Sequence, residues 1–337
     1  MEIPTLDKFP PSALAAIDIQ RAFIVSRVII AAERLQLFRA LDGRRLTAED
    51  LGAAVHIHSR YREVFFNSLV SLGLLRKTRE NYSLTPLARK YFIRERSIYW
   101  TRQYSKECVQ AYDALTVLEK ALATGRSCAS IKGFDKISYT ESMQRDPRHA
   151  EDFTQMLFHY HHDDAEALAG YLDLSHHRAV LDVGGGSGVM SIALARRNPH
   201  LRASVLDLVA VCRVAAGNIR RAGLARRIRT LAGDIREPLP TGYDVIMFCD
   251  IGAIPPQLLR NAYRALPPGG LVVAVDRHLS ADRTRPLDRI VASLIGSTFP
   301  MTTRAEMVAA LELRGFQRVK ARNVYRDLWF ITGVKPR

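Results

Sequence analysis

The chain has 337 residues, of which 47% are hydrophobic, and this length and composition are typical of a globular protein with two domains and sizeable cores. No run of 18 or more apolar residues occurs, which argues against a membrane partner, and the first residues lack the pattern of a secretory signal. The net charge of +15 comes mostly from scattered arginines, so it indicates an arginine-rich surface rather than one basic tract for nucleic acid.

The first part of the chain predicts three helices followed by a hairpin. Apolar residues recur at helical spacing over 17–41, and Thr47 is a suitable N-cap for a short helix over 48–55. A third helix begins at Ser59, residues 74–84 are typical of a small hairpin, and Pro86 opens another helix. This order is the pattern of a winged-helix domain, which we place at residues 1–95.

A winged helix raises the possibility of DNA binding. The candidate recognition helix contains Arg60, Arg62 and Asn67, but apolar residues such as Val64 and Phe65 occupy much of its surface. Such a helix is more typical of packing in a core or against a partner subunit. We therefore expect homodimerisation and no nucleic-acid partner.

Two long helical segments, 99–122 and 146–172, are predicted within residues 96–175, which link the two domains. Three histidines, His159, His161 and His162, lie in the second segment. Their spacing does not place them on one helix face, and no H-E-x-x-H pattern is present, so we expect no metal site. The four cysteines show no C-x-x-C spacing, which favours a reducing cytoplasm.

Residues 179–188, with the sequence AVLDVGGGSG, predict the central strand and turn of the second half. The apolar run with Asp182 near its end is typical of a strand buried on both faces. Gly184, Gly186 and Gly188 let the backbone turn sharply and let a ligand come close. A helix follows at once, and its free N–H groups suit an anionic or carboxylate-bearing ligand.

Two later strands also end in an acidic residue. Residues 203–206 predict a strand ending in Asp207, roughly 20 residues past the last glycine, where a carboxylate can bind ribose hydroxyls. Residues 227–232 predict another strand, followed by Asp234 and Ile235. An acid and an apolar residue there can hold an adenine by its amino group and its face.

The motifs VLDVGGGSG, SVLDL, AGDI and RALPPGG together resemble those of the S-adenosylmethionine-dependent small-molecule O-methyltransferases that carry an N-terminal winged-helix dimerisation domain. The resemblance extends from about residue 24 to the C-terminus. It implies an α/β fold, with a Rossmann-like class I methyltransferase domain over residues 176–337, a final antiparallel hairpin, and a mostly α-helical dimerisation domain before it.

The resemblance also implies the ligands and where they bind. S-adenosylmethionine is the expected cofactor, and the expected acceptor is a small, aromatic, secondary-metabolite-like molecule. Cofactor contacts are expected from Asp182, Gly184, Gly186, Gly188, Asp207, Leu208, Asp234, Ile235 and Cys249. Substrate contacts are expected from Met156, His159 and Tyr160.

The chain departs from the family where its phenolic branch has a catalytic His-Asp pair. After the fourth strand of the sheet, predicted over 243–249, the sequence reads CDIGAIPP and contains no histidine. Asp250 and His278 are the substitute catalytic candidates. Because the usual base is absent, we expect catalysis to rest mainly on placement, with each substitute contributing no more than about tenfold.

O-methylation is the leading interpretation, and three alternatives stay open at this stage. The first is C- or N-methylation of a tetrapyrrole or heteroaromatic acceptor. The second is a methyltransferase-fold protein with a non-methylating reaction. The third is a winged-helix DNA-binding regulator.

Overall fold

The computed structural model describes residues 13–94, 105–133, 139–252, 254–296, 302–325 and 328–337. The chain divides into two compact units, one within residues 3–110 and one that holds residues 111–337. The division falls inside the predicted linking segment. Part of the predicted 99–122 helix lies outside the described residues.

The N-terminal unit has helices around a small antiparallel sheet. Its elements are α1 (Ala13–Arg34), α2 (Leu37–Ala40), β1 (Leu46–Thr47), α3 (Ala48–Ala54), α4 (Ser59–Ser71), β2 (Leu75–Thr78), β3 (Asn81–Leu84), α5 (Pro86–Arg89) and a π-helical turn (Lys90–Arg94). Thr47 caps α3 by accepting from the Asp50 amide, and Thr85 caps α5, which begins with Pro86. These starts match the predicted ones because both depend on local side-chain caps.

The sheet of this unit has the strand order β1-β3-β2. Its core contains the buried rings of Phe66 and Tyr82, which meet edge to face with centroids 5.3 Å apart. The Tyr82 hydroxyl donates to Asn67 Oδ1 at 2.9 Å, so this buried phenol is satisfied.

The C-terminal unit alternates strands and helices after a helical lead-in. Helix α6 (Ser105–Leu115) contains the boundary between the units. The other elements are α7 (Leu118–Thr124), α8 (Cys128–Ile131), α9 (Tyr139–Arg145), α10 (Pro147–Tyr160), α11 (His162–Tyr171), β4 (Ala179–Val183), α12 (Val189–Arg197), β5 (Arg202–Asp207), α13 (Val209–Arg221), β6 (Ile228–Ala232), β7 (Val245–Cys249), α14 (Pro256–Ala265), β8 (Leu271–Arg277), α15 (Leu287–Ile295), α16 (Arg304–Leu313), β9 (Gln317–Tyr325) and β10 (Leu328–Val334).

The large sheet has the strand order β6-β5-β4-β7-β8-β10-β9. Strands β4 to β8 pair in parallel, and β10 pairs antiparallel with both β8 and β9. The predicted Rossmann-like sheet and its final antiparallel hairpin are confirmed. The carboxyl ends of the parallel strands share one edge, where open α/β sheets bind ligands.

Strand β4 is buried on both faces, as its apolar sequence predicts. Val180 packs in one apolar cluster with Ala195 and Phe330, while Leu181 packs in a second cluster with Phe248. The sheet therefore has an apolar layer on each side.

The predicted helical segment 146–172 is interrupted in the structure. Asp146 caps α10, whose last residue is Tyr160, and α11 begins at His162. His161 lies between the two helices with φ −92° and ψ 9°, outside regular helical geometry. The interruption turns the His161 ring into a buried position.

Thr303 and Glu306 form a capping box at the start of α16. The Glu306 amide donates to the Thr303 hydroxyl at 3.2 Å, and the Thr303 amide donates to the Glu306 carboxylate at 2.8 Å. Each side chain satisfies an amide of the other residue, which fixes the start of the helix. In the part of the chain that the structure describes, no helix is long and apolar enough to span a membrane.

Candidate functional site

The glycine loop between β4 and α12 has a backbone that other residues rarely adopt. Gly184, Gly186 and Gly188 all have positive φ angles, of 66°, 53° and 77°. A Cβ at residue 184 would lie 2.7 Å from Ile251 Cγ2, so a side chain here would also collide with the segment after β7. The loop leads directly into the N-terminus of α12.

Asp207 fixes this loop from the neighbouring strand. Its Oδ2 accepts from the Gly186 amide at 2.8 Å, and its Oδ1 accepts from the Leu208 amide at 2.7 Å. Burial raises the pKa of Asp207, and these two bonds oppose the rise. The structure thus brings together three residues that the sequence assigned to the cofactor.

Asp182 lies beneath the loop in full burial. Its Oδ2 accepts from the Ser191 hydroxyl of α12 at 2.7 Å, and Oδ1 has no partner among the described residues. Burial raises the pKa of Asp182 to about 7, against the bonds from Ser191. A Cβ on Gly185 would come within 2.5 Å of this carboxyl, so the glycine leaves room for it.

Asp234 and Ile235 follow β6 at the same edge of the sheet. Arg236 Nε donates to both Asp234 oxygens at 2.9 Å, and this bond lowers the pKa of Asp234. Ile235 packs against the second apolar cluster. Cys249, the last residue of β7, has a pKa raised well above its ordinary value by burial and nearby carboxylates, so it is a neutral thiol.

Beyond β7 and β8 lies a charged group that we name the Asp250 cluster. It consists of His161, Asp164, Asp250, Asp276, Arg277 and Arg289, all with side chains no more than 17% exposed. His161 and Asp164 come from the α10–α11 region, Asp250 follows β7, the Asp276–Arg277 pair ends β8, and Arg289 lies on α15.

The ring of His161 joins two carboxylates of the cluster. Its Nδ1 lies 3.1 Å from Asp164 Oδ2, and its Nε2 lies 3.1 Å from Asp250 Oδ2. Burial opposes protonation, but the hydrogen bonds with Asp164 and Asp250 outweigh it and raise the pKa of His161 to about 9. Arg277 donates to Asp164 from the other side at 3.0 Å.

Asp250 has an unusual backbone and two cationic partners. Its φ is +49°, its amide donates to the Val275 carbonyl at 2.9 Å, and Arg289 donates to its Oδ1 at 3.0 Å. Burial favours the neutral acid, but the hydrogen bond from His161 and the two positive charges hold the pKa of Asp250 well below its ordinary value. A strained residue held this firmly is characteristic of functional sites.

Asp276 shares Arg289 with Asp250, but its pKa is shifted in the opposite direction. Arg289 donates to its Oδ1 at 2.9 Å. Burial and the negative charge of Asp250 raise the pKa of Asp276 to about 7, against the attraction of Arg289. The two neighbouring carboxylates therefore differ in the ease with which they take a proton.

His278 follows the cluster on the chain and differs from His161. Its Nδ1 lies 3.3 Å from the Thr302 carbonyl oxygen, which can only accept, so Nδ1 carries the proton. Its Nε2 is buried and has no hydrogen-bond partner within the described residues. Burial lowers the pKa of His278, with a smaller contribution from Arg289. The neutral ring thus holds a lone pair on Nε2.

The three residues assigned to the substrate have different surroundings. Met156 is buried on α10, and Tyr160 lies beside the cluster, with the Arg277 guanidinium 5.7 Å from its ring centroid. His159 is exposed and contacts Phe158 edge to face. Tyr160 thus lies against the Asp250 cluster. Among the described residues, no group of three His, Cys, Asp or Glu side chains could hold a metal ion.

Sequence reasoning missed most of the Asp250 cluster. His161 was considered only as a metal ligand, and Asp164, Asp276, Arg277 and Arg289 were not singled out. The Asp276–Arg277–His278 run was a usable signal, because it places three ionisable residues at the carboxyl end of a predicted strand. Arg289 offered no comparable signal, since its partners lie 39 and 13 positions away in sequence.

Two family models match this chain. One is described as an O-methyltransferase domain and matches residues 116–311; the other is described as an O-methyltransferase dimerisation domain and matches residues 17–94. The chain belongs to the O-methyltransferase family. It is therefore an enzyme that transfers a methyl group, and S-adenosylmethionine is its cofactor, as the sequence motifs predict.

The names of two relatives differ in the atom that is methylated. The chain is 29% identical over 306 residues to 3-hydroxy-5-methyl-1-naphthoate 3-O-methyltransferase of Streptomyces sahachiroi, covering 88% of this chain and 87% of the relative. It is 27% identical over 334 residues to the N,N-dimethyltransferase OxyT of Streptomyces rimosus, covering 96% and 97%. Human N-acetylserotonin methyltransferase, solved in complex with S-adenosylmethionine, matches with a TM-score of 0.84 at 21% identity, covering 98% of this chain and 99% of that one.

Proposed function

We propose that this enzyme transfers a methyl group from S-adenosylmethionine to a hydroxyl group of a small aromatic secondary metabolite. The observation that carries the proposal is His278, a buried neutral histidine with an unpartnered lone pair among the described residues, at the sheet edge where ligands bind. The naphthoate O-methyltransferase relative supports the choice of an aromatic hydroxyl.

On the donor side, the glycine loop and the carboxyl ends of β4 to β6 would hold the cofactor. Asp207 would bind the ribose hydroxyls; in support, each of its oxygens accepts one backbone amide and keeps a further lone pair. Ile235 would pack against the adenine, with Asp234 near its amino group and Cys249 beside the ring. The amides at the start of α12 favour the carboxylate of the methionine part.

On the acceptor side, His278 and Asp250 have separate tasks. Bound S-adenosylmethionine supplies an electrophilic methyl group on a sulfonium, which leaves its bonding electron pair on sulfur. His278 Nε2 would take the proton of the acceptor hydroxyl, which would free an oxygen lone pair for the methyl group. Asp250 is too weak a base for that task, but its carboxylate can accept a hydrogen bond and orient the acceptor.

A screen for products tests this proposal directly. The protein is incubated with S-adenosylmethionine and a library of phenols, hydroxynaphthoates and aromatic polyketides, and products are identified by mass. We expect a gain of one methylene together with release of S-adenosylhomocysteine. Turnover that produces neither would contradict the proposal and favour the non-methylating alternative.

N-methylation is the second candidate, because OxyT carries the name of an N,N-dimethyltransferase and spans almost the same length. Fragmentation of the product separates the two outcomes, since an aryl methyl ether and an N-methylamine release different fragments. The same screen therefore includes aromatic amines.

The assembly we propose is a homodimer formed through the N-terminal unit, whose element order fits a winged helix. Phe23, Ile24 and Val25 on α1 are each at least 43% exposed, and Val64 on α4 is 69% exposed. An obligate interface of this kind should bury at least about 2,000 Å² in total. Light scattering at micromolar concentration should give the dimer mass, and a monomer mass would contradict the assembly. The four cysteines of the sequence show no C-x-x-C spacing, which supports a cytoplasmic location.

A further inference from the structure

His161 faces a carboxylate oxygen with each of its ring nitrogens. Nδ1 lies 3.1 Å from Asp164 and Nε2 lies 3.1 Å from Asp250. A neutral imidazole would place a lone pair against one of these oxygens, whereas the imidazolium donates at both positions. The geometry therefore requires the charged form, and a charged imidazolium has no lone pair with which to act as a base.

Asp250 receives His161 on one oxygen and Arg289 on the other. Its side chain is 17% exposed, while those of the other five cluster members are between 3% and 9% exposed. Asp250 is thus the member through which the cluster can reach a ligand. Its two cationic partners keep it ionised, so it offers hydrogen-bond acceptance rather than proton uptake.

We propose that His161 is a positioning residue, which holds Asp250 as a fixed, ionised hydrogen-bond acceptor for a donor group of the methyl acceptor. The inference rests on the proposed function for the identity of the ligand, but the state of His161 and Asp250 can be tested without any acceptor. The proposal implies an acceptor molecule with a hydroxyl or N–H group that donates to Asp250. This group is additional to the hydroxyl group whose proton His278 receives.

The charges that face His161 come from every element packed around it. Asp164 of α11 pairs with His161 and with Arg277 of β8. The ring of Tyr160 of α10 meets the His161 ring edge to face, with centroids 4.9 Å apart. Opposite lies Asp250, with Asp276 of β8 and Arg289 of α15 behind it. If the His161 charge is lost, Arg289 is the one cationic side chain among the described residues that still pairs with Asp250. Arg289 also donates to Asp276, so its charge is shared.

The acceptor-independent experiment is carbon-13 NMR of the Asp carboxyl groups in the complex with S-adenosylhomocysteine. The variant is His161→Gln, and the control is His162→Gln, whose native side chain is 57% exposed at the start of the next helix. We expect the Asp250 signal to stay that of a carboxylate down to pH 5 in the wild type and control. In His161→Gln its titration should move upward by more than one pH unit.

Nitrogen-15 NMR of the His161 ring supplies the second readout. We expect both nitrogens to stay protonated at pH 8 in the wild type, and we expect Asp250→Asn to lower the pH at which a proton is lost. A neutral His161 ring at pH 8, or an Asp250 titration unchanged in His161→Gln, would overturn the inference.

A kinetic experiment with 1,3-dihydroxynaphthalene as acceptor probe, which has a second hydroxyl group to donate to Asp250, separates positioning from a purely structural role. In His161→Gln the loss of kcat should grow as the pH falls, by up to about tenfold per pH unit below the raised Asp250 titration. The dissociation constant for S-adenosylhomocysteine should be unchanged. A loss of kcat that is equal at all pH values would contradict positioning and indicate structure alone.

The two proposals can fail separately. If neither the library acceptors nor 1,3-dihydroxynaphthalene is methylated, the O-methylation proposal fails while the NMR results still decide the state of Asp250. If 1,3-dihydroxynaphthalene is methylated but the NMR titrations do not differ between variants, the positioning proposal fails and the proposed function stands.

Discussion

The carboxylate of Asp207, which contacts the glycine loop, and that of Asp250 in the Asp250 cluster are held in different ways. Asp207 is fixed by two backbone amides, one from the next residue and one from Gly186 in the adjacent loop. Asp250 is fixed by the side chains of His161 and Arg289, which lie 89 and 39 positions away in the chain. Backbone amides remain in place whatever the surrounding sequence, so the first arrangement suits a constant ligand. Side chains can be exchanged one at a time, so the second suits an acceptor that differs between relatives.

The largest effect on kcat is expected from removal of the Nε2 lone pair of His278, which follows the Asp250 cluster on the chain. His278→Asn keeps an N–H group near the Thr302 carbonyl and removes Nε2. We expect kcat to fall by about 10² to 10⁴-fold, the typical contribution of a general base. This exceeds the tenfold limit that the sequence suggested, because the structure shows a buried neutral ring. The measurement is single-turnover methylation with cofactor affinity checked by calorimetry, and His176→Asn is the exposed control.

A loss of less than tenfold in His278→Asn would restore the sequence-based expectation that placement alone supplies the catalysis. In that case the acceptor loses its proton to solvent or binds already ionised.

The second prediction tests whether the cluster depends on side-chain pairing for stability. Asp164→Ala removes the carboxylate that pairs with His161 and Arg277, and leaves two buried cations with one partner fewer. We expect the free energy of unfolding to fall by about 3–5 kcal/mol, the usual result of breaking a buried ion pair. Urea denaturation measures it. Asp163→Ala, at a neighbouring side chain that is 74% exposed, should change stability little.

The third prediction concerns the proposed cofactor site, where backbone amides hold the Asp207 carboxylate. Asp207→Ala should weaken S-adenosylmethionine binding by about 1.5–3 kcal/mol, the range for hydrogen bonds to a charged group. Calorimetric titration gives the dissociation constant directly. Wild-type affinity in this variant would show that Asp207 does not bind the ribose.

The smallest effect is expected at a helix start outside both regions. Thr303→Ala removes the capping box of α16 and should lower the free energy of unfolding by about 1 kcal/mol. Thr124→Ala is the matched control, because its hydroxyl donates only to the Lys120 carbonyl within a helix. A loss of activity larger than the loss of stability would indicate that the cap also supports the Thr302–His278 contact.

The sequence predicted those parts of the molecule that depend on near neighbours along the chain. The strand β4, the glycine loop and the Thr47 helix start all follow from local composition and capping, and each appears where expected. Asp250 was found because a strand end is a favoured place for a ligand.

The partners of Asp250 could not be predicted in this way. His161 faces it only because the helical segment breaks between α10 and α11, and helical periodicity gave no indication of that break. Arg289 reaches it from α15, and no spacing rule connects the two residues. The roles of the two histidines also depend on which atoms face their ring nitrogens, which is a property of the folded chain alone.

Because Gly184 has no side chain, the glycine loop and the segment after β7 can lie close together. Because a Cβ there would lie 2.7 Å from Ile251 Cγ2, the missing methyl group lets the segment after Asp250 rest directly on the donor loop. The approach of Ile251 to Gly184 thus helps to set the distance between the proposed cofactor and acceptor sites. Side-chain volume at position 251 is therefore the simplest variable with which to redesign the enzyme for larger or smaller acceptors, with the residues proposed to bind the cofactor and the acceptor left unchanged.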